Sequence, residues 1–72
     1  MNQSSLNTPS AGQPKVSVVI GSYNRLNFLR LTIDSVRREL SGHPHEIIVV
    51  DGGSTDRTLP WLMKQKDIIT IV

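Results

Sequence analysis

Two runs of β-branched residues constrain this chain more than any other feature. Val16-Ser17-Val18-Val19-Ile20 lies between Pro14 and Gly21, and Glu46-Ile47-Ile48-Val49-Val50 runs into Asp51-Gly52-Gly53. Both are nearly continuous in apolar residues, the pattern of parallel strands covered on both faces. Between them, residues 26–40 switch to helical spacing. Leu29, Ile33, Val36 and Leu40 fall at i, i+4, i+7 and i+11, and Leu26 extends the stripe. Arg30, Asp34, Arg37 and Arg38 take the opposite side, with Arg30 four residues from Asp34. Ser41-Gly42, followed by Pro44, stops the helix.

A second helix carries Leu59, Leu62 and Met63, with Ser54, Thr55, Asp56 and Thr58 as candidate caps. Pro60 fits only in its first turn, which places the cap near Asp56 to Thr58. Asp67-Ile68-Ile69-Thr70-Ile71-Val72 then begins a third strand, and the sequence stops inside it. The order β-α-β-α-β with short connections predicts an α/β fold. It is a partial doubly wound, Rossmann-like parallel sheet, truncated after the third strand. Strand one, central in a complete sheet, is expected to present an open edge that self-associates, and one sheet face to lack its cover. Residues 1–14 hold only Met1, Leu6 and Ala11 as apolar residues and read as a disordered leader before a folded part at 15–72.

Composition removes several function classes. Cysteine is absent, which excludes a disulfide scaffold, a thiolate metal site and a Cys nucleophile. The net charge of +2, from eight Lys and Arg against six Asp and Glu, is too small to argue a nucleic-acid stripe. No apolar run approaches the roughly 18 residues of a membrane span, and no signal-peptide core follows Met1. The expected location is cytoplasmic. His43 and His45 flank Pro44 at the far end of the sheet and read as a solvated loop, since a metal needs more convergent ligands. Trp61 reads as a helix residue packed on the sheet, and Arg30, Arg37 and Arg38 as a solvated basic face. Asp34 on a helix flank and Asp67 before strand three lie away from the strand ends where ligands bind.

Open parallel sheets bind ligands at the carboxyl ends of their strands. Gly21-Ser22-Tyr23-Asn24-Arg25 and Asp51-Gly52-Gly53-Ser54 both sit there, on strands only ~4.8 Å apart. Together they suit a nucleobase and ribose, with a ring stacked on Tyr23 and Asp51 accepting hydrogen bonds. Spacing alone equally allows Tyr23 to pack under the helix and Asp51 to cap a turn. Other nucleotide and ion motifs fail. Residues 21–26 (GSYNRL) hold one glycine of Gly-x-Gly-x-x-Gly, no Gly-Lys-Ser/Thr exists, and a calcium loop from Asp51 would have Gly53 and Thr55 at acidic positions.

The stretch VSVVIGSYNRLNFLRLTIDSV followed by EIIVVDGGSTDRT resembles the N-terminal segment of family 2 glycosyltransferases, inverting enzymes of the GT-A fold. Their usual pattern is a strand ending in Pro-Thr-Tyr-Asn-Arg or -Glu, a helix, then Glu-Ile-Ile-Val-Val-Asp-Asp-Gly-Ser-Thr-Asp. The resemblance covers residues 15–72 and only the opening part of a typical family domain. It implies that Gly21, Ser22 and Tyr23 belong to the loop holding the base of a nucleotide diphosphate-sugar donor. Asn24 and Arg25 complete that loop, and Asp51 belongs to the same base and ribose pocket. Gly21 stands where proline or threonine is common, and Gly52 where a second aspartate is common. Ser54, Thr55 and Asp56 fit the motif but read physically as helix caps.

The family's Asp-x-Asp motif and catalytic base are expected beyond Val72. The resemblance implies Mg²⁺ or Mn²⁺ for the complete parent enzyme, with no ligands for it and no catalytic residue in this chain. The parent is expected to transfer a sugar with inversion to a glycan, lipid or polysaccharide hydroxyl, in the cytoplasm or at the cytoplasmic face of a membrane. The chain alone is expected to be inactive. The competing expectation is a small non-enzymatic Rossmann-like module that binds a nucleotide or a protein through its open edge.

Overall fold

Both β-branched runs become neighbouring strands. A computed structural model describes residues 15–72, and the leader expected over residues 1–14 lies outside them. The elements are β1 (Val16–Ser22), α1 (Leu26–Glu39), β2 (His45–Asp51), α2 (Thr58–Met63) and β3 (Ile68–Ile71). The strands are parallel in the order β1-β2-β3, which is the expected partial Rossmann-like sheet. In register, Val18 pairs with Ile47, Ile20 with Val49 and Ser22 with Asp51, while Ile47 and Val49 pair onward with Ile68 and Thr70. The β1 ladder runs past the expected boundary at Ile20, because β2 continues to Asp51 and offers partners to Gly21 and Ser22. Those two residues are therefore strand rather than loop.

The core is Leu29 and Ile33 of α1, Ile47 and Val49 of β2, and Leu62 of α2, with Ile20, Val36, Leu59, Trp61 and Ile68 packed around it. Both helices thus cover one face of the sheet. The other face is open: Val19 is 65% exposed, and Val50, Ile69 and Ile71 are exposed beside it. This agrees with the expectation that one sheet face lacks its cover and corrects the reading of the strands as covered on both faces. Two crossovers that step in the same direction with the same hand deposit their helices on the same side. A continuous apolar run is equally compatible with that outcome. Burial of α1 follows its stripe, and Gly42, at φ 80°, makes the left-handed turn that ends it.

Arg37 is a second correction. It was expected on a solvated basic face, yet its side chain is only 32% exposed. Its guanidinium donates to both carboxylate oxygens of Asp67, at 2.9 and 2.7 Å, and to Gln65 Oε1 at 3.2 Å. Arg37 follows buried Ile33 by four residues, so it stands at the margin of the core stripe and reaches the turn before β3. Asp34 lies 3.9 Å from Arg37 rather than pairing with Arg30. Trp61 is half-buried against the core, as expected. His45 opens β2 with its Nδ1 2.7 Å from the carbonyl of His43. Among the described residues no helix is long and apolar enough to cross a membrane.

Candidate functional site

Because Ser22 and Asp51 are register partners at the carboxyl ends of β1 and β2, the two following loops start side by side. The amide of Gly52 donates to the carbonyl of Ser22 at 2.8 Å and carries the contact one residue further. Parity does the rest. Asp51 shares the helix-covered face with Ile47 and Val49, so its side chain is 2% exposed.

Asp51 is turned onto its own loop. Oδ2 accepts the amides of Gly53 at 3.0 Å and Ser54 at 2.6 Å, and Oδ1 accepts the Ser54 hydroxyl at 2.7 Å. Burial pushes the carboxyl up, but the amide and hydroxyl of Ser54 and the amide of Gly53 outweigh it, so its pKa lies below the usual 3.8. The group stays charged at neutral pH. Gly53 sits at φ 94°, where a side chain would strain the turn that presents these amides.

Asn24 joins the loops from the other side. Its backbone amide donates to Ser54 Oγ at 2.9 Å, and its Oδ1 accepts the amides of Thr55 at 2.7 Å and Asp56 at 3.2 Å. It holds φ 49°, a left-handed conformation that asparagine tolerates better than most residues. A relay Asn24–Ser54–Asp51 therefore ties the end of β1 to the end of β2. Ser54 was read as a helix cap; it is the centre of this relay. Only Asp56 serves α2 directly, its Oδ1 accepting the Thr58 amide at 2.9 Å. The Asp-x-x-Ser spacing of 51 and 54 is a local signal for the first half. Nothing local signals the contact to Asn24, thirty residues away.

Tyr23 is 56% exposed and does not pack under α1. Its ring flanks Gly52, where an added Cβ would meet Tyr23 Cδ1 at 3.4 Å. An added Cβ at Gly21 would meet nothing within 4 Å. The Ser22 hydroxyl is buried beside Asp51 and helps hold that carboxyl's pKa down. Arg25 leans over Phe28, its guanidinium carbon 5.0 Å from the ring centroid. Arg25 and Asn24 line a cavity of about 520 Å³ with Arg57 and Asp56, which Tyr23 and Asp51 do not reach.

Residues 17–72 match the family described as Glycosyl transferase family 2. The chain belongs to this family. It is also 41% identical over 54 residues to "Uncharacterized protein y4gI" of Sinorhizobium fredii (strain NBRC 101917 / NGR234), an alignment taking in 74% of this chain. The aligned segment spans 6% of that protein's length. No solved structure matches the chain.

A family 2 glycosyltransferase segment invites a test for the divalent cation its resemblance implies. The described residues do not fit one. No three of their His, Asp and Glu side chains converge, Asp51 is engaged by Gly53 and Ser54, and Asp34 and Asp67 face Arg37. No metal-dependent step is derived from them.

Proposed function

We propose that residues 15–72 form the nucleotide side of the donor site of an inverting, GT-A-type glycosyltransferase. The whole enzyme takes a nucleotide diphosphate-sugar and an acceptor hydroxyl on a glycan, lipid or polysaccharide, at the cytoplasmic side of the cell. The observation that carries this reading is the Tyr23 ring, exposed beside Gly52 at the point where the β1 and β2 ladders end. A planar base stacks on that ring. The Ser22 hydroxyl, buried beside Asp51 at the end of β1, adds a polar group at the same loop.

Asn24 and Asp51 support the site differently from what the motif suggests. A carboxylate has about four acceptor positions. Asp51 commits three of them to Gly53 and Ser54, so its main task is to hold the Gly52–Ser54 turn, with one position left for a base N–H or ribose hydroxyl. Gly21 opens the loop at the end of β1, and Arg25 closes it with its guanidinium turned over Phe28 rather than toward Tyr23. Catalytic base and Mg²⁺ or Mn²⁺ belong to this reading through the family alone, and these residues supply neither.

Calorimetric titration with UDP, GDP and dTDP tests it. Tyr23→Ala should weaken binding of the preferred nucleotide by the ~1–3 kcal/mol of a base–aromatic stack, or about 5- to 150-fold. Unchanged affinity would remove the stacking role and, with it, the observation on which the reading stands.

A further inference from the structure

The cations of this chain are unevenly placed. Lys15 pairs with Glu46, and Arg37 with Asp67 and Asp34. Of the six cations that meet no carboxylate among the described residues, Arg38 and Lys66 stand apart, and Arg25, Arg30, Arg57 and Lys64 line one seam between α1 and α2. The seam consists of two cavities that share Leu26 and Arg57, one of about 520 Å³ and one of about 470 Å³. Helical spacing explains the arrangement. Arg57, Pro60, Trp61 and Lys64 follow i, i+3, i+4 and i+7 along α2, and Leu26 and Arg30 follow i and i+4 on α1. Each helix presents one stripe to the seam. Asp56 is the sole acid lining either cavity, so the charge there is strongly positive.

Both ends pair cations with an aromatic ring, Phe28 beside Arg25 at one and Trp61 at the other. At one, Arg25 and Arg57 offer guanidinium forks suited to two-point contact with phosphate oxygens. At the other, Trp61 and Pro60 provide an apolar wall between Arg30 and Lys64. Each cavity has the few-hundred-Å³ volume of a small-molecule site, and both are shallow and open to solvent, so a ligand there keeps one side wet.

We propose that this seam is an anion-binding groove, distinct from the Tyr23–Asp51 loops, for a small phosphate ester with an apolar or aromatic portion. The phosphate lies at the Arg25–Arg57 end, and the apolar portion lies against Trp61 and Pro60. The inference is independent of the donor-site reading.

Trp61 is the chain's only tryptophan and lines the groove, so its fluorescence reports occupancy directly. The probe is phenyl phosphate, titrated into the full chain beside inorganic phosphate and beside vesicles of phosphatidylcholine with phosphatidic acid. Phenyl phosphate should give a saturable change and bind more tightly than inorganic phosphate. Arg57→Ala should weaken it about tenfold, the scale of one charge-assisted hydrogen bond, and Arg57→Lys should recover part of the loss. Arg38→Ala, outside the groove, and Tyr23→Ala, at the donor loop, should leave it unchanged. Three results would overturn the proposal: no saturable change, an equal loss in Arg38→Ala, or a loss in Tyr23→Ala. Response to the vesicles without response to phenyl phosphate would overturn it too, in favour of a membrane-surface contact.

Discussion

Replacing Asn24 separates two effects that usually travel together. Its Oδ1 satisfies the amides of Thr55 and Asp56, and its backbone sits at φ 49°. In Asn24→Ala both acceptor contacts vanish, and a residue poorly suited to left-handed backbone stays there. The conformational cost is about 1–2 kcal/mol. Both amide contacts are solvent-exposed, so each contributes toward the low end of about 0.5–1.5 kcal/mol. Asn24→Ala should therefore destabilise by about 2–3 kcal/mol. Asn24→Gly loses the same acceptor without the steric cost, and its extra unfolded-state entropy of about 0.5–1 kcal/mol only partly cancels that relief. Glycine should be the milder substitution, the reverse of the order inside a helix. Urea denaturation followed by Trp61, half-buried against the core, measures both. The Ala variant should also bind nucleotide more weakly, since Asn24 Oδ1 and its contacts to Thr55 and Asp56 help hold the second loop beside Tyr23. An Ala variant within about 0.5 kcal/mol of the parent, the scatter of an ordinary surface change, would refute the role of the Asn24 side chain. So would a glycine variant less stable than alanine.

Acid should destabilise the fold. The Arg37 guanidinium holds the Asp67 carboxyl below its usual 3.8 against a smaller effect of burial, and Asp51 is lowered as well. A lowered folded pKa contributes stability above the unfolded value and loses it as pH falls through the folded one. Urea midpoints should thus drop below about pH 4, less so in Asp67→Asn, and a flat acid profile would contradict the assignment. Under the donor-site reading, the 72-residue chain should show no sugar transfer or donor hydrolysis with any nucleotide sugar and Mg²⁺ or Mn²⁺, and turnover by a purified single species would overturn that. The bare sheet face and the β1 edge should make the chain self-associate in sedimentation, with Val19→Lys and Ile69→Lys reducing it. A monodisperse monomer with strongly protected β1 and β2 amides would show the fold to be self-sufficient.

Element order and type were legible because period and punctuation agreed. Val16–Ile20 and Glu46–Val50 could only be strands, and the Leu29–Ile33–Val36 stripe only a helix. Adjacency of the Tyr23 and Asp51 loops followed from parallel pairing. The direction of Asp51 did not follow, because β2 is apolar on both faces and its parity gives no inside. Which residues of β2 would face the bare side was hidden for the same reason. Asn24–Ser54 and Arg37–Asp67 link residues thirty apart, so no local pattern marks them. Family resemblance marked Asn24 and Asp51 as important, but not that both hold the loop that follows β2.

The two-faced apolar character of β2 raises the question of what fixes its pairing. Sliding β2 by one residue would exchange Ile47 and Val49 for Ile48 and Val50 under the helices, at little cost in apolar burial. Only the strand's ends distinguish the alternatives. In the native alignment Glu46 lies on the open side, accepting from Ser17 Oγ and near Lys15, while Asp51 lies inside against Gly53 and Ser54. A slipped strand would drive Glu46 beneath the helices without partners and swing Asp51 out to the bare face, away from the amides that stabilise its charge. The two carboxylates thus act as a proofreading pair for strand alignment. A chain stripped of both would have no means of rejecting the shifted pairing, in which the Gly52–Ser54 turn no longer meets Tyr23.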